Sequence, residues 1–136
     1  MLAWTLNAWI VCAVLTVASP GDGLDDLEHT KDSIEKVKEN LEAKKAIIVD
    51  VREKSEWDAG HVKGAKLVPW SKLRFASTRK KLKELPDDEK IIYCYCKAGV
   101  RALRAGKKLK EMGYDVRPLK AGFEELVKNG FESKKK

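Results

Sequence analysis

Cysteine is scarce in this sequence, and no segment of it repeats. Three of the 136 residues are cysteines: Cys12, Cys94 and Cys96. Cys94 and Cys96 are too close along the chain to form an ordinary structural disulfide, and the Cys-x-x-Cys spacing of common redox and metal motifs is absent. The sequence therefore offers no disulfide framework. Its 36% charged and 43% hydrophobic residues are typical of one compact globular domain and exclude a disordered chain.

Charged side chains are absent from residues 1–18. An apolar run there ends in Thr16-Val17-Ala18, which places small residues at the positions that a signal peptidase reads. We expect residues 1–18 to be a cleaved signal peptide, residues 19–29 to be an acidic linker, and the protein to be exported, either periplasmic or secreted. The alternative is an uncleaved anchor, for which the run is marginal because a spanning helix needs ~20 apolar residues. We expect membrane contact only in that second case.

The net charge of +7 is unevenly distributed. Residues 22–42 hold eight acidic residues and three lysines, whereas residues 43–136 hold 25 basic and 13 acidic residues. A basic body is typical either of a protein with an anionic partner or of a solvated lysine-rich surface. No aromatic stacking pattern accompanies the basic residues between Lys72 and Lys83, so we expect no nucleic-acid partner.

Two continuous apolar runs predict the central strands. Ala46–Val51 and Lys90–Tyr95 have the character of strands that are buried on both faces of a parallel sheet. Asp115–Leu119 predicts a third and shorter strand, in which Pro118 favours the edge of the sheet.

Helical patterns lie before and between these strands. Asp32 is the expected N-cap of the first helix, with Glu35 completing a capping box. Ile34, Val37 and Leu41 would form its apolar stripe. Further helices are expected at residues 71–85, 101–112 and 122–128. This alternation predicts an α/β domain with a mainly parallel sheet.

The segment 93–101, Tyr-Cys-Tyr-Cys-Lys-Ala-Gly-Val-Arg, connects a predicted strand to a predicted helix. Backbone N–H groups and the helix dipole favour the thiolate of a cysteine at such a strand end. Ala98 and Gly99 allow a tight turn, and Lys97 and Arg101 add positive charge. We interpret Cys96 as a nucleophile for an anionic substrate; the alternative is a cysteine that only packs in the core.

Three stretches, in order along residues 43–131, resemble the signatures of the rhodanese family. The six residues Cys96–Arg101 resemble its active-site loop. An earlier stretch resembles its N-terminal signature, with Asp50-Val51-Arg52-Glu53, Glu56-Trp57, Gly60-His61-Val62-Lys63-Gly64-Ala65 and Pro69. Leu119-Lys120-Ala121-Gly122-Phe123 is similar to its closing turn, except that Ala121 replaces the first glycine.

The resemblance implies a rhodanese-like three-layer domain over residues 30–136, with a mainly parallel central sheet flanked by helices. It implies that Cys96 is catalytic and that the rest of the loop binds substrate: Lys97, Ala98, Gly99, Val100 and Arg101. Asp50, Arg52 and Glu56 are expected to support the site structurally, with Glu56 as the partner of Arg52. We expect His61 to be structural and assign no role to His29.

Loop length separates two related chemistries. Rhodaneses carry Cys-x4-Arg, as Cys96 and Arg101 do here, whereas dual-specificity phosphatases carry Cys-x5-Arg. The loop also lacks the Cys-Gly-x-Gly-x-Thr character of mercaptopyruvate sulfurtransferases, and Lys97 favours a fully anionic donor. The resemblance therefore implies a thiosulfate sulfurtransferase. It would pass a sulfane sulfur from thiosulfate or a similar anion to cyanide or a thiol through a Cys96 persulfide, without metal or organic cofactor.

Two other interpretations remain open. The chain could be a non-catalytic rhodanese-like module that docks proteins or binds anions. It could instead be a thiol-redox or metal-handling protein that uses Cys94 and Cys96 together, because strand alternation places both on one face. For Cys94 itself we favour core packing over redox protection, and redox protection over metal binding.

Overall fold

The computed structural model describes residues 28–136. The expected signal peptide at residues 1–18 and most of the expected linker lie outside the described residues. Among the described residues, no helix is long and apolar enough to cross a membrane.

A four-stranded parallel sheet forms the centre of the molecule. Its strands are β1 (Ala46–Asp50), β3 (Lys66–Leu67), β4 (Ile91–Tyr95) and β5 (Val116–Pro118), in the order β3-β1-β4-β5. The two long apolar runs are the neighbouring central strands β1 and β4, and the strand that contains Pro118 lies at an edge. All three predictions are confirmed. Two further strands, β2 (His61–Val62) and β6 (Ser133–Lys134), pair in a separate antiparallel ribbon.

Helices cover both faces of the sheet. The five helices are α1 (Ile34–Glu42), α2 (Lys54–Ala59), α3 (Trp70–Leu73), α4 (Val100–Glu111) and α5 (Phe123–Lys128). Apolar residues of α3 and α4, including Leu73 and Leu109, pack with Val49 and Ile92 on one face. The other face carries residues of α1 and α5. Two cores separated by one sheet give the predicted three-layer α/β domain.

The side chains of strand β4 are tyrosines on one face of the sheet and cysteines on the other. Tyr93 and Tyr95 point to the core formed with α1 and α5. Cys94 and Cys96 belong to the core formed with α4. Because side chains alternate along a strand, this register sends both thiols towards the helix that follows the cysteine loop.

Two predicted helix features are wrong. The N-cap of α1 is Ser33, whose Oγ accepts a hydrogen bond from the Lys36 amide at 3.2 Å. The Asp32 carboxylate instead accepts hydrogen bonds from the Tyr93 hydroxyl and from Arg117. The expected helix at residues 71–85 is a single turn, α3, because no side chain between Leu73 and Leu82 is fully buried and a helix depends on such packing.

Candidate active site

The cysteine loop joins the end of β4 to the start of α4, and Gly99 is the N-cap of that helix. Gly99 has a φ of +90°, in the left-handed region. A Cβ atom at this position would lie 3.0 Å from His29 Nε2 and 3.1 Å from the Lys120 carbonyl oxygen. The turn therefore requires glycine both for its backbone conformation and for the space around it.

Cys96 Sγ lies beneath the first turn of α4. It accepts hydrogen bonds from the Gly99 amide at 3.0 Å and from the Ala102 amide at 3.4 Å. The Cys96 side chain is almost completely buried, with 1% exposure. Amide donors at a helix N-terminus stabilise negative charge on a sulfur atom, so the surroundings suit a thiolate.

Ala102 is a donor that the sequence reasoning missed. It lies one residue beyond the predicted binding residues, and its amide is among the first N–H groups of α4, which have no partner within the helix. Counting helix positions from a cap at Gly99 would have found it. Of the predicted binding residues themselves, Gly99 is buried, Arg101 is half-buried, and the exposed ones are Lys97, Ala98 and Val100.

Glu56 pairs with Arg101, so the predicted pair of Glu56 with Arg52 is wrong. Arg101 Nη1 donates to Glu56 Oε2 at 2.7 Å, and Nη2 donates to Oε1 at 2.9 Å. The pKa of Glu56 falls to about 2, chiefly because of the hydrogen bond from Arg101. Glu56 also accepts the amide of Glu53, which is the N-cap of α2. The ion pair thus fastens the first turn of α4 to α2.

Asp50, the last residue of β1, and Arg52 form a buried ion pair. Arg52 Nη2 donates to Asp50 Oδ2 at 2.6 Å and to the Gly60 carbonyl at 2.7 Å. The Tyr95 hydroxyl also donates to Asp50 Oδ2, at 2.7 Å. The Arg52 guanidinium lies 4.5 Å from the centre of the Phe123 ring. These contacts join β1, β4 and the closing turn.

The closing turn, residues 119–123, presses against the cysteine loop. The Phe123 amide donates to the Cys96 carbonyl at 2.9 Å. A Cβ atom at Gly122 would lie 1.8 Å from the Lys97 carbonyl oxygen, which no side chain could tolerate. Ala121, where the family resemblance expects glycine, is accommodated and buried. The second glycine position of the turn is therefore the one that the geometry requires.

Lys97 stands between two depressions on the surface. One has a volume of about 250 Å³ and is lined by residues that include Arg52, Glu56, Lys97 and Phe123. The other has a volume of about 750 Å³ and is lined by Lys97, Ala98 and residues of α1 and α5. Within residues 28–136 the Lys97 ammonium makes no ion pair. The Lys97 side chain is exposed and lines both depressions.

Cys94 has the surroundings of a core residue. It is completely buried, and its Sγ donates to the Ala102 carbonyl at 3.3 Å. Burial raises the pKa of its thiol, which disfavours the thiolate. The two cysteines are present as free thiols. In residues 28–136 no group of three or more His, Cys, Asp or Glu side chains is arranged to hold a metal ion.

The two histidines make different contacts. His61, which we expected to be structural, stacks its ring on Trp57 at 3.5 Å between centroids, and its Nδ1 lies 2.9 Å from the Trp57 carbonyl oxygen. His29, to which the sequence assigned no role, lies against the cysteine loop. Its Nε2 lies 2.8 Å from the Gly99 carbonyl oxygen, so it contacts the cysteine loop across 70 residues of sequence.

Comparison with known proteins gives a consistent assignment. The family model described as "Rhodanese-like domain" matches residues 33–129. The chain is 37% identical over 81 residues to the uncharacterized protein YqhL of Bacillus subtilis, covering 59% of this chain and 60% of YqhL. It is 37% identical over 71 residues to MoeZ of Mycobacterium tuberculosis, a probable adenylyltransferase/sulfurtransferase, covering 52% of this chain and 17% of MoeZ.

A solved structure also shares this fold. The rhodanese-related protein of Thermoplasma volcanium superposes with a TM-score of 0.62 at 25% identity, covering 76% of this chain and 95% of that one. The chain thus spans less than two thirds of the length of the curated relatives above, while it matches a separate rhodanese-related protein over nearly its whole length. Family match, sheet order and cysteine loop agree, and the chain belongs to the rhodanese-like domain family.

Proposed function

We propose that this protein is a sulfurtransferase that takes a sulfane sulfur from thiosulfate, or a similar anionic donor, and passes it to cyanide or a thiol through Cys96. The observation that carries the proposal is the position of Cys96 Sγ at the end of β4, where it accepts the amides of Gly99 and Ala102. Sulfur transfer as the general type of function is supported by family membership and by the sulfurtransferase name of MoeZ.

The first half-reaction loads the enzyme. The Cys96 thiolate attacks the outer sulfur of thiosulfate, and a new S–S bond forms as the old S–S bond breaks. Sulfite leaves with the electron pair of that bond, and Cys96 keeps a persulfide with one negative charge. Because Cys96 is nearly buried, a slim donor whose reacting atom is a terminal sulfur fits the site best.

The second half-reaction returns the thiolate. Cyanide attacks the outer sulfur of the persulfide, the S–S bond breaks, and thiocyanate leaves while the electron pair remains on Cys96 Sγ. A thiolate acceptor would carry away the sulfur as a persulfide in the same way. Each half-reaction conserves charge and requires no added oxidant or reductant.

The charged residues of the loop have separate tasks. Lys97 is exposed beside both depressions and holds the donor anion. Arg101 is engaged by both oxygens of Glu56, so it acts mainly by holding the first turn of α4 in place and by adding positive charge near Cys96. These separate tasks are consistent with the exposed side chain of Lys97 and the ion-paired side chain of Arg101.

Mass spectrometry of protein treated with thiosulfate tests the proposal. We expect the peptide that contains Cys96 to gain the mass of one sulfur atom, and cyanide to remove it with release of thiocyanate. The Cys96→Ser variant should gain nothing, whereas the Cys94→Ala variant should load normally. A loss of two hydrogens instead would show a redox pair, and no change in mass would show a docking or anion-binding module.

A further inference from the structure

The segment immediately before α1, residues 28–33, contacts strands β4 and β5, and we call it the N-terminal strap. The Thr30 amide donates to the Pro118 carbonyl at 2.7 Å. The Asp32 carboxylate accepts the Tyr93 hydroxyl at 2.6 Å and Arg117 Nη1 at 2.8 Å. The strap is therefore attached to the sheet through contacts that do not involve the cysteine loop.

His29 adds a contact of a different kind, because it reaches the loop itself. A carbonyl oxygen can only accept, so the 2.8 Å contact requires a hydrogen on His29 Nε2, and the imidazole donates to Gly99. The same carbonyl accepts the Leu103 amide at 3.1 Å, which is the first hydrogen bond of α4. His29 thus binds the outer side of the residue at which α4 begins.

Gly99 connects this contact to the reactive sulfur. Its carbonyl accepts from His29, and its amide donates to Cys96 Sγ at 3.0 Å. Glycine has no side chain to hold it in a left-handed conformation and has more backbone freedom than any other residue. Its orientation therefore depends on the groups that bind its amide and carbonyl.

We propose that His29 is a positioning residue for Cys96: by holding the Gly99 carbonyl, it keeps the Gly99 amide directed at the sulfur. The inference rests on the proposed function, because it assigns His29 to the same nucleophile. It also extends the site beyond the part of the chain that matches the family model, since that match begins at residue 33. Without His29, Gly99 spends less time donating to Cys96, and the thiolate loses part of its stabilisation.

The experiment compares His29→Ala, His29→Gln and His29→Asn in the full chain. A glutamine side chain places a nitrogen donor at the same number of bonds from Cα as histidine Nε2, whereas asparagine is one bond shorter. The rate of Cys96 alkylation by iodoacetamide is followed across pH by mass spectrometry of the Cys96 peptide. The midpoint of this pH profile reports thiolate stabilisation, and its plateau reports access to the sulfur.

We expect His29→Ala to raise the midpoint and to lower kcat/KM for thiosulfate by about fivefold, the change that corresponds to one ordinary hydrogen bond. His29→Gln should restore most of the loss, and His29→Asn should not. Ser33→Ala is the matched control: it removes the N-cap of α1 and lowers the melting temperature, but leaves the alkylation midpoint unchanged.

An unchanged midpoint in His29→Ala, whatever happens to its melting temperature, would overturn the proposal, as would equal behaviour of the glutamine and asparagine variants. Alkylation does not require sulfur transfer. If the wild-type protein fails to load sulfur but the midpoint still moves in His29→Ala, the proposed function fails while the positioning role of His29 stands.

Discussion

The Glu56–Arg101 pair makes a quantitative prediction for the substitution Glu56→Gln. The two hydrogen bonds of this pair, at 2.7 and 2.9 Å, hold the pKa of Glu56 at about 2 instead of the ordinary 4.5. One pKa unit corresponds to about 1.4 kcal/mol, so the shift corresponds to about 3 kcal/mol of folding free energy. The side chains are 28% and 30% exposed, and solvent screening reduces the expected loss to about 2 kcal/mol.

The effect of Glu56→Gln on the free energy of unfolding should decrease as pH falls. The pKa of Glu56 is lowered in the folded state, so the stabilisation is complete above the unfolded-state value of 4.5 and is lost as pH falls towards about 2. Glutamine keeps the shape of the side chain and cannot titrate. The difference in unfolding free energy between wild type and Glu56→Gln should therefore be about 2 kcal/mol at pH 7 and smaller by roughly 60% at pH 3.5.

Urea unfolding at the two pH values measures this difference. Glu89→Gln is a suitable control, because Glu89 is an exposed loop residue and makes no ion pair among residues 28–136. Its effect should be within a few tenths of a kcal/mol at both pH values. A difference for Glu56→Gln that is as large at pH 3.5 as at pH 7, or no larger than that of the control, would refute the assignment of a stabilising charge pair.

Three further predictions concern the loop. Cys96→Ser should abolish thiocyanate production from thiosulfate and cyanide. Cys94→Ala should keep most of this activity and lose about 2 kcal/mol of folding stability through lost packing. Equal inactivation of the two variants, both folded, would contradict the assignment of Cys96 as the nucleophile. Lys97→Ala should raise the KM for thiosulfate about fivefold and weaken its dependence on salt, as measured by steady-state kinetics at two ionic strengths. Gly122→Ala should displace the loop, because its new Cβ would meet the Lys97 carbonyl at 1.8 Å, and near-normal transfer in that variant would show that the loop can yield.

The sequence predicted the parts of the fold that are encoded locally. The runs around Val49 and Ile92 are long enough and apolar enough to identify two buried parallel strands. The elements that escaped prediction are short and depend on distant partners. Strand β3 has two residues, and its pairing with Val49 and Asp50 is a property of the assembled sheet. Strands β2 and β6 pair across about 70 residues, which no local pattern records.

In the site, too, contacts between residues close in sequence could be predicted, whereas contacts between distant residues could not. Cys96 and the turn at Gly99 follow from one strand, one turn and one helix, so the sequence predicted them together, although it missed the Ala102 amide one residue further on. The partner of Glu56 could not be predicted in this way. Arg52 is the nearer arginine along the chain, but the placement of α2 beside α4 brings Arg101 to it. His29 escaped for the same reason, because its contact depends on where the strap crosses the loop.

The alternation of tyrosine and cysteine along β4 has a consequence for how the chain selects one strand alignment. The Tyr93 hydroxyl bonds with Asp32 and Asn40, and the Tyr95 hydroxyl bonds with Asp50 and the Val62 amide. A slip of β4 by one residue would reverse its faces and move both hydroxyls into the apolar core beside α4. Each hydroxyl without a partner would cost about 1–3 kcal/mol, while cysteine fits either core at little cost. The hydrogen bonds of the two tyrosines thus disfavour a misaligned sheet, and they determine on which side of the sheet Cys96 lies.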